Sequence, residues 1–299
     1  MRITEVNSVN TIKKISNTPF KAGFNYKEIN DSLDFSNYRA RKKEAYSIAK
    51  EEIEIAKGIQ QDSKQIQRTA KKIKKDITKI YDDLMIDVYH ISKYGFTSKQ
   101  RENTEYKFSK DVFDNEILSS IIQKDDRVER IAMVYNGAIT CIQEIYEEGF
   151  VDIYHFDKYG CLYKYTKNAT EDGLEFEEEY YYDLNTGDLK SYVDDSIYDA
   201  KQEEHIFNEM LFKNNKLQTY THNAQRKIQF LTFGEETFDS KYTFENGKIS
   251  SIESYYQDGY ENEELIKETI LYKKSKPVNL KREATDDRLI KTMESFIFQ

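Results

Sequence analysis

The segment between residues 36 and 95 limits the possible folds more than any other part of the chain. Residues 36–93 contain no proline and one glycine, Gly58, and they are rich in residues that favour helix. Alternate steps of four and three residues from Ala45 give fourteen positions, of which eleven are apolar. These positions are Ala45, Ala49, Glu52, Ala56, Ile59, Ser63, Ile66, Ala70, Ile73, Ile77, Ile80, Leu84, Asp87 and Ile91. An average spacing of about 3.5 residues is typical of a left-handed coiled-coil seam.

The spacing predicts a coiled-coil helix over 36–95, with Gly95 placed to end it. The helix either pairs with another chain or bends near Gly58 into two shorter helices that pack together. A seam of about 70 Å is too long for one small domain to cover completely. We therefore expect a homo-oligomer formed through the helix. The expected self-association residues are Ile66, Ile73, Ile77, Ile80 and Leu84.

Charge also divides the chain. Residues 1–100 carry 20 Lys+Arg and 13 Asp+Glu, a net charge of +7, and the remainder carries 25 and 41, a net charge of -16, and the two sum to the net charge of -9. A lysine cluster at 71–75 fits either an anionic partner or a solvated helix face. No aromatic residues interleave with this cluster and the protein is acidic, so we expect no nucleic-acid partner.

A strand–turn–strand phrase recurs from about residue 129. Its turns centre near Gly137, Gly160, Gly187, Asn215, Gly247 and Ser275. Asn-Gly at 136–137 and at 246–247 is a strong signal for a two-residue hairpin turn, because both central positions need positive φ. The pattern predicts an antiparallel β-meander of five or six hairpins.

One copy of this phrase carries a family resemblance. The pattern Tyr-x-Phe-x-Asn-Gly-Lys-Ile at 242–249, followed by Tyr255, Asp258 and Gly259, resembles the MORN-variant hairpin repeats of bacterial proteins. The resemblance extends over about 145 residues, with longer and more variable spacing than in the family. It implies an elongated twisted sheet that serves as a binding or scaffold surface.

The predicted fold class is α+β. It consists of a disordered tail (1–35), the coiled-coil helix (36–95), a connecting segment (96–127), a hairpin repeat domain (128–283) and a C-terminal amphipathic helix (284–299). The connecting segment includes a short helix over 111–123, where Phe113, Ile117 and Ile121 have helical spacing. We expect this helix and the C-terminal helix to cover the apolar face of the sheet.

Residues that would indicate a reaction are scattered. No phosphate-binding loop, nucleophile elbow or paired-cysteine metal spacing occurs, and the four histidines lie in different segments. We therefore predict no catalytic residues, no metal and no cofactor. No apolar run is long enough for a membrane span. The N-terminus has no secretory signal pattern, so we expect a cytoplasmic protein and leave signal-independent export open.

Tyrosine runs among carboxylates are the main candidate for recognition, because tyrosine is enriched at interfaces. The predicted partner-binding residues are Tyr180, Tyr182, Tyr255, Tyr256 and Tyr260. The preferred function is a non-enzymatic interaction or scaffold protein whose acidic sheet binds a protein partner, with basic partners favoured. The alternatives are a carboxylate-dependent hydrolase or toxin-like effector, and a glycan-binding surface-associated protein.

Overall fold

A computed structural model describes residues 35–97, 101–171, 174–199, 204–230, 232–257, 265–285 and 291–298. Within these residues one long helix, α1 (Phe35–Tyr94), precedes one antiparallel sheet of fifteen strands. The helix continues through Gly58, and Gly95 follows it with a φ of 76°. The predicted N-terminal helix and the predicted meander are confirmed. Residues 1–34 of the predicted tail, and Tyr260, lie outside the described residues.

Each strand of the meander pairs with the strands before and after it in the sequence. The strands are β1 (Thr104–Lys110), β2 (Glu116–Lys124), β3 (Val128–Tyr135), β4 (Ala138–Tyr146), β5 (Phe150–Phe156), β6 (Leu162–Glu171), β7 (Leu174–Tyr182), β8 (Leu189–Asp199), β9 (Glu204–Lys213), β10 (Lys216–Phe230), β11 (Thr232–Glu245), β12 (Lys248–Gln257), β13 (Leu265–Lys273), β14 (Lys276–Thr285) and β15 (Lys291–Ile297).

The six predicted turns join β3–β4, β5–β6, β7–β8, β9–β10, β11–β12 and β13–β14. At four of them both central residues have positive φ, as at Asn136–Gly137 and Asn246–Gly247. A register shift lies close to each of these turns, for example between Thr243 and Phe244. Such bulges bend the strand and increase the twist of the sheet. The predicted hairpin count is too low for the described residues, because β1 and β2 precede the first predicted hairpin and β15 follows the last.

Helix α1 crosses one face of the sheet beside the tight turns. The Tyr182 hydroxyl donates a hydrogen bond to the Ala70 carbonyl (3.0 Å), and the Tyr272 hydroxyl donates one to the Ala49 carbonyl (2.9 Å). Tyr182 and Tyr272 are three hairpins apart, while their helix partners are 21 residues apart. Seven helix residues rise about 10.5 Å and two strand spacings measure about 9.6 Å, so the two periods nearly match. The heptad spacing of the helix thus corresponds to the hairpin period of its own sheet.

This packing accounts for the predicted self-association residues. Ile66, Ile77 and Leu84 are buried in the core shared by the helix and the sheet, and Ile73 and Ile80 pack against that core. Their side chains therefore cannot at the same time form the seam of an intermolecular coiled coil. Small residues at heptad positions, such as Ala49 and Ala70, let the helix backbone approach the tyrosine hydroxyls.

The predicted C-terminal helix (284–299) is wrong, because its described residues form the end of β14 and the edge strand β15. Phe296 is buried against the helix, with its ring 5.7 Å from that of Tyr38, while Met293 and Ile297 are exposed on the other face. Buried and exposed side chains therefore alternate in this segment as in a strand, although the sequence spacing also fits a helix. Without β15, the backbone N–H and C=O groups at this edge of β14 would have no strand partner. Pairing of Asn279–Thr285 with β15 satisfies them, which favours a strand at this position.

The helix predicted over 111–123 is wrong for a similar reason. β2 covers most of the segment, and its buried side chains are Leu118, Ile121 and Ile122. Phe113, which the helical spacing places in the core, lies in the turn between β1 and β2 and is exposed. The turn is closed by Asp111, whose carboxylate accepts hydrogen bonds from the backbone of Phe113 and Asn115.

Candidate interaction surface

The sheet has two different faces. We call the face in contact with α1 the inner face and the opposite one the outer face. Alternation along β7 places Phe176, Glu178, Tyr180 and Tyr182 on the inner face and Glu175, Glu177, Glu179 and Tyr181 on the outer face. Among the described residues, no helix or strand packs on the outer face. The outer face is therefore the larger open surface of this part of the chain.

Five carboxylates cluster on the outer face of the central strands, and we call this cluster the acidic patch. It consists of Glu175, Glu177, Glu179, Asp195 and Glu209. Glu177 lies directly opposite Asp195 on β8, and Val193 of β8 separates Glu179 from Glu209. Glu175, Glu177 and Asp195 are exposed, while the other two are half-buried. The patch spans about 10 Å across the strands and about 13 Å along β7.

A lysine and a histidine contact the acidic patch at its border. Lys164 on β6 forms an ion pair with Glu179, and the His205 ring contacts Asp195 through Nε2. The Tyr181 hydroxyl also donates a hydrogen bond to Glu179, with an oxygen–oxygen distance of 2.5 Å. Lys164 and His205 both lie at the edge of the patch, so within the described part of the chain the exposed carboxylates at its centre have no cation beside them.

Glu177 and Glu179 show pKa shifts in opposite directions. Burial raises the pKa of Glu177, and the neighbouring Glu179 carboxylate raises it further through a hydrogen bond and charge repulsion. For Glu179 burial also opposes ionisation, but hydrogen bonds from Lys164 and Tyr181 outweigh it and lower the pKa. Protons therefore bind first at Glu177 as the pH falls.

The five predicted partner-binding tyrosines do not form one surface. Tyr180 is 4% exposed and lies with Tyr182 in the core on the inner face, so neither ring is available to a partner. Tyr255 is half-buried on the outer face of β12, and Tyr256 is half-buried on the inner face. Of the predicted tyrosines in the described residues, only Tyr255 shares the face of the acidic patch.

Tyr181 is the residue that sequence reasoning missed. It lies opposite Lys164 and on the same face as the carboxylates of β7. The signal was available in the alternation of residues 174–182, because Tyr181 is an even number of positions from Glu175, Glu177 and Glu179. Of the three consecutive tyrosines at 180–182, the central one, Tyr181, points to the outer face.

A row of polar and charged residues crosses the inner face, and we call it the polar row. Its members occupy facing positions on successive strands from β2 to β15. They are Gln123, Arg130, Glu144, Asp152, Lys167, Glu178, Asp194, Asn208, His222, Ser240, Ser254, Glu268, Arg282 and Glu294. Each lies beside the apolar and aromatic row that packs under α1.

The carboxylates of the polar row are held by neighbouring side chains. Tyr165 donates a hydrogen bond to Asp152 (2.8 Å) and Tyr180 donates one to Glu178 (3.0 Å). Arg130 donates to Glu144 from Nε (2.8 Å). Burial raises the pKa values of Asp152, Glu178, Asp194 and Glu268. These contacts satisfy polar groups at the margin of the core, so we assign the row to the structure of the sheet.

No group of three or more metal-ligating residues occurs within the described ranges. In the same part of the chain, no helix has the length and apolar character needed to cross a membrane. Comparison with models of known protein families and with curated proteins found no match. The resemblance to MORN-variant repeats therefore stays a prediction, although the β-hairpin meander agrees with the sheet that it implies.

Proposed function

We propose that the protein is a non-enzymatic interaction protein that binds a basic segment of a protein partner on the acidic patch. The observation that carries the proposal is the combination of an uncovered outer face with clustered exposed carboxylates beside Tyr181. The outer face is about 70 Å wide and about 30 Å long, whereas a stable interface needs about 800 Å² from each partner. The face therefore has ample area for a partner.

The chemistry of the acidic patch fits a lysine- or arginine-rich segment. The half-buried Tyr181 ring supplies apolar area and a hydroxyl, and the exposed carboxylates supply charge. In such an interface the aromatic anchor gives affinity, while exposed charges mainly increase the rate of association.

The split pKa values of Glu177 and Glu179 also fit the alternative of a carboxylate-dependent hydrolase, because acid–base pairs require carboxyl groups with different pKa values. A catalytic pair further needs a concave site that excludes water. Glu177 is exposed on an open sheet face, and Glu179 is already bound by Lys164 and Tyr181. We therefore propose binding as the function.

The test uses the full-length chain and a panel of extended Lys/Arg-rich peptides, with binding measured by isothermal titration calorimetry. The variant E175Q/E177Q/D195N removes three exposed charges of the acidic patch. Three exposed ion pairs at about 0.5 kcal/mol each correspond to about tenfold weaker binding. The control E44Q/E105Q/E116Q removes three exposed carboxylates outside the patch and should bind as the unmodified chain does.

A further variant, Tyr181→Ala, should weaken binding more than the triple charge variant, because it removes the aromatic anchor. Circular dichroism must show that the fold is retained. The proposal is contradicted if no peptide shows saturable binding, or if the control variant loses as much affinity as the patch variant.

A further inference from the structure

The tight turns at one edge of the sheet lie next to α1. Lys74 donates a hydrogen bond to the Gly187 carbonyl (3.0 Å) at the β7–β8 turn, and Gln60 donates one to the Gly247 carbonyl (3.0 Å) at the β11–β12 turn. The Tyr81 ring lies against Gly160 at the β5–β6 turn. These turns are thus fixed to one helix over 21 residues, or about 32 Å. The turns and α1 therefore lie side by side along one edge of the sheet, and we call this edge the ridge.

This ridge is basic, although the protein is acidic. Between Lys57 and Lys79 the helix carries eight cations and two carboxylates, and the β9–β10, β11–β12 and β13–β14 turns carry six lysines and one carboxylate, Glu245. We call the exposed cations of these two segments the basic ridge. They are Lys64, Arg68, Lys71, Lys72, Lys75, Lys79, Lys213, Lys216, Lys248, Lys273, Lys274 and Lys276. Among the described residues, none of these twelve forms an ion pair within 4.0 Å.

Exposed aromatic side chains continue the line at its other end. Tyr135 at the β3–β4 turn is 69% exposed, and Tyr159 at the β5–β6 turn is 78% exposed. Lys158 lies over the Tyr159 ring, with its Nζ 4.9 Å from the ring centroid. Carboxylates are present here too, because Asp157 and Asp183 lie in the β5–β6 and β7–β8 turns. Their oxygens accept hydrogen bonds from the turn backbone.

We propose that the basic ridge binds single-stranded nucleic acid, with the phosphates along the lysines and unpaired bases on Tyr135 and Tyr159. A linear array of cations next to exposed aromatic rings is the arrangement that binds single strands, because cations follow the backbone while bases stack on the rings. A duplex would not use the tyrosines in this way, since its bases are already stacked.

The size of the basic ridge and its local charge support this choice. Five hairpin intervals separate the β3–β4 turn from the β13–β14 turn, a distance of about 50 Å, which at about 3.4 Å per nucleotide matches an oligonucleotide of about 15 residues. The net charge of -9 does not oppose binding strongly, because charges beyond a Debye length of about 8 Å are screened at physiological salt. The sequence predicts no nucleic-acid partner, and the proposal differs from that prediction because the lysines come from three separate turns and the helix, which the sequence does not show as one patch.

The first experiment measures fluorescence anisotropy of labelled 16-residue oligothymidylate with the full chain over a range of salt concentrations. The variant K216Q/K248Q/K276Q changes the equivalent first residue of β10, β12 and β14. Losing three phosphate contacts should reduce the salt slope by about 2 and weaken binding about 100-fold at 0.1 M salt. The control K241Q/K267Q/K281Q changes three exposed lysines of the outer face and should bind like the unmodified chain.

The second experiment separates single strands from other polyanions. Y135A/Y159A should weaken oligothymidylate binding at least about 30-fold, corresponding to about 1 kcal/mol or more for each of the two stacked bases, and should leave the weaker binding of polyglutamate unchanged. The proposal is overturned if no saturable binding occurs at low salt, or if both lysine variants lose affinity equally. It is also overturned if duplex DNA, polyglutamate or anionic vesicles bind as tightly as the single strand. All variants must keep the thermal midpoint of the unmodified chain.

Discussion

Replacing Ile77 with alanine tests whether the heptad stripe of α1 packs on the sheet of its own chain. Ile77 is 2% exposed and belongs to the core that joins the helix to the sheet. Removal of a buried isoleucine side chain to alanine costs about 2–5 kcal/mol through lost burial and the cavity left behind. We expect a loss of about 3 kcal/mol. With a urea m-value of about 3 kcal/mol/M, the unfolding midpoint falls by about 1 M.

Ile86→Ala is the matched control, since Ile86 lies on the same helix but is 44% exposed. This change should alter the free energy of unfolding by less than about 0.5 kcal/mol. Circular dichroism measures unfolding, and light scattering of both variants measures mass. Equal stability of the two variants, or a fall in mass for Ile77→Ala without loss of stability, would refute intrachain packing and restore the coiled-coil interpretation.

Three further outcomes follow from individual contacts. Tyr182→Phe should cost about 1 kcal/mol because it removes the hydrogen bond to Ala70, whereas Tyr135→Phe should be neutral; urea unfolding measures both. Gly247→Ala should also lower the free energy of unfolding by about 1 kcal/mol in urea, because its φ of +73° is strained for alanine. No atom of the described residues lies within 4 Å of the added methyl group, so no steric clash adds to this cost. The thermal midpoint should rise as the pH falls from 7 to 5. Carboxyls with raised folded pKa values stabilise the fold once protonated, and this stability is lost as the pH rises through those values. The residues responsible are Glu52, Asp152, Glu178, Asp194 and Glu268. An unchanged or falling midpoint would contradict this reasoning.

The helix and the meander could be predicted from sequence because both depend on local signals. Asn-Gly turns require positive φ, and the proline-free segment favours helix. The partner of the helix could not be predicted. A spacing of about 3.5 residues fits a second helix, and it fits equally a sheet whose strands are about 4.8 Å apart.

The candidate surfaces were harder to predict, because each joins residues from several strands or turns. Alternation along β7 was enough to separate Tyr181 from Tyr180, but it does not indicate which face the helix covers. Lys216, Lys248 and Lys276 lie about 30 residues apart in sequence, and only the pairing of the strands brings them to one edge. A search for clustered charges within a few consecutive residues therefore finds the lysines of α1, but it does not show that the lysines of separate turns lie near one another.

The match between helix and sheet links the lengths of the two elements. The apolar stripe runs from Ala45 to Ile91, which at about 3.5 residues per strand crosses about thirteen strand spacings. The sheet of the described residues has fourteen such spacings, so the stripe ends where the sheet ends. A hairpin added to the sheet would lack a helical cover unless seven residues were added to α1. The length of the stripe is therefore set by the width of the sheet, which explains why a helix of 60 residues carries a continuous seam within a single chain.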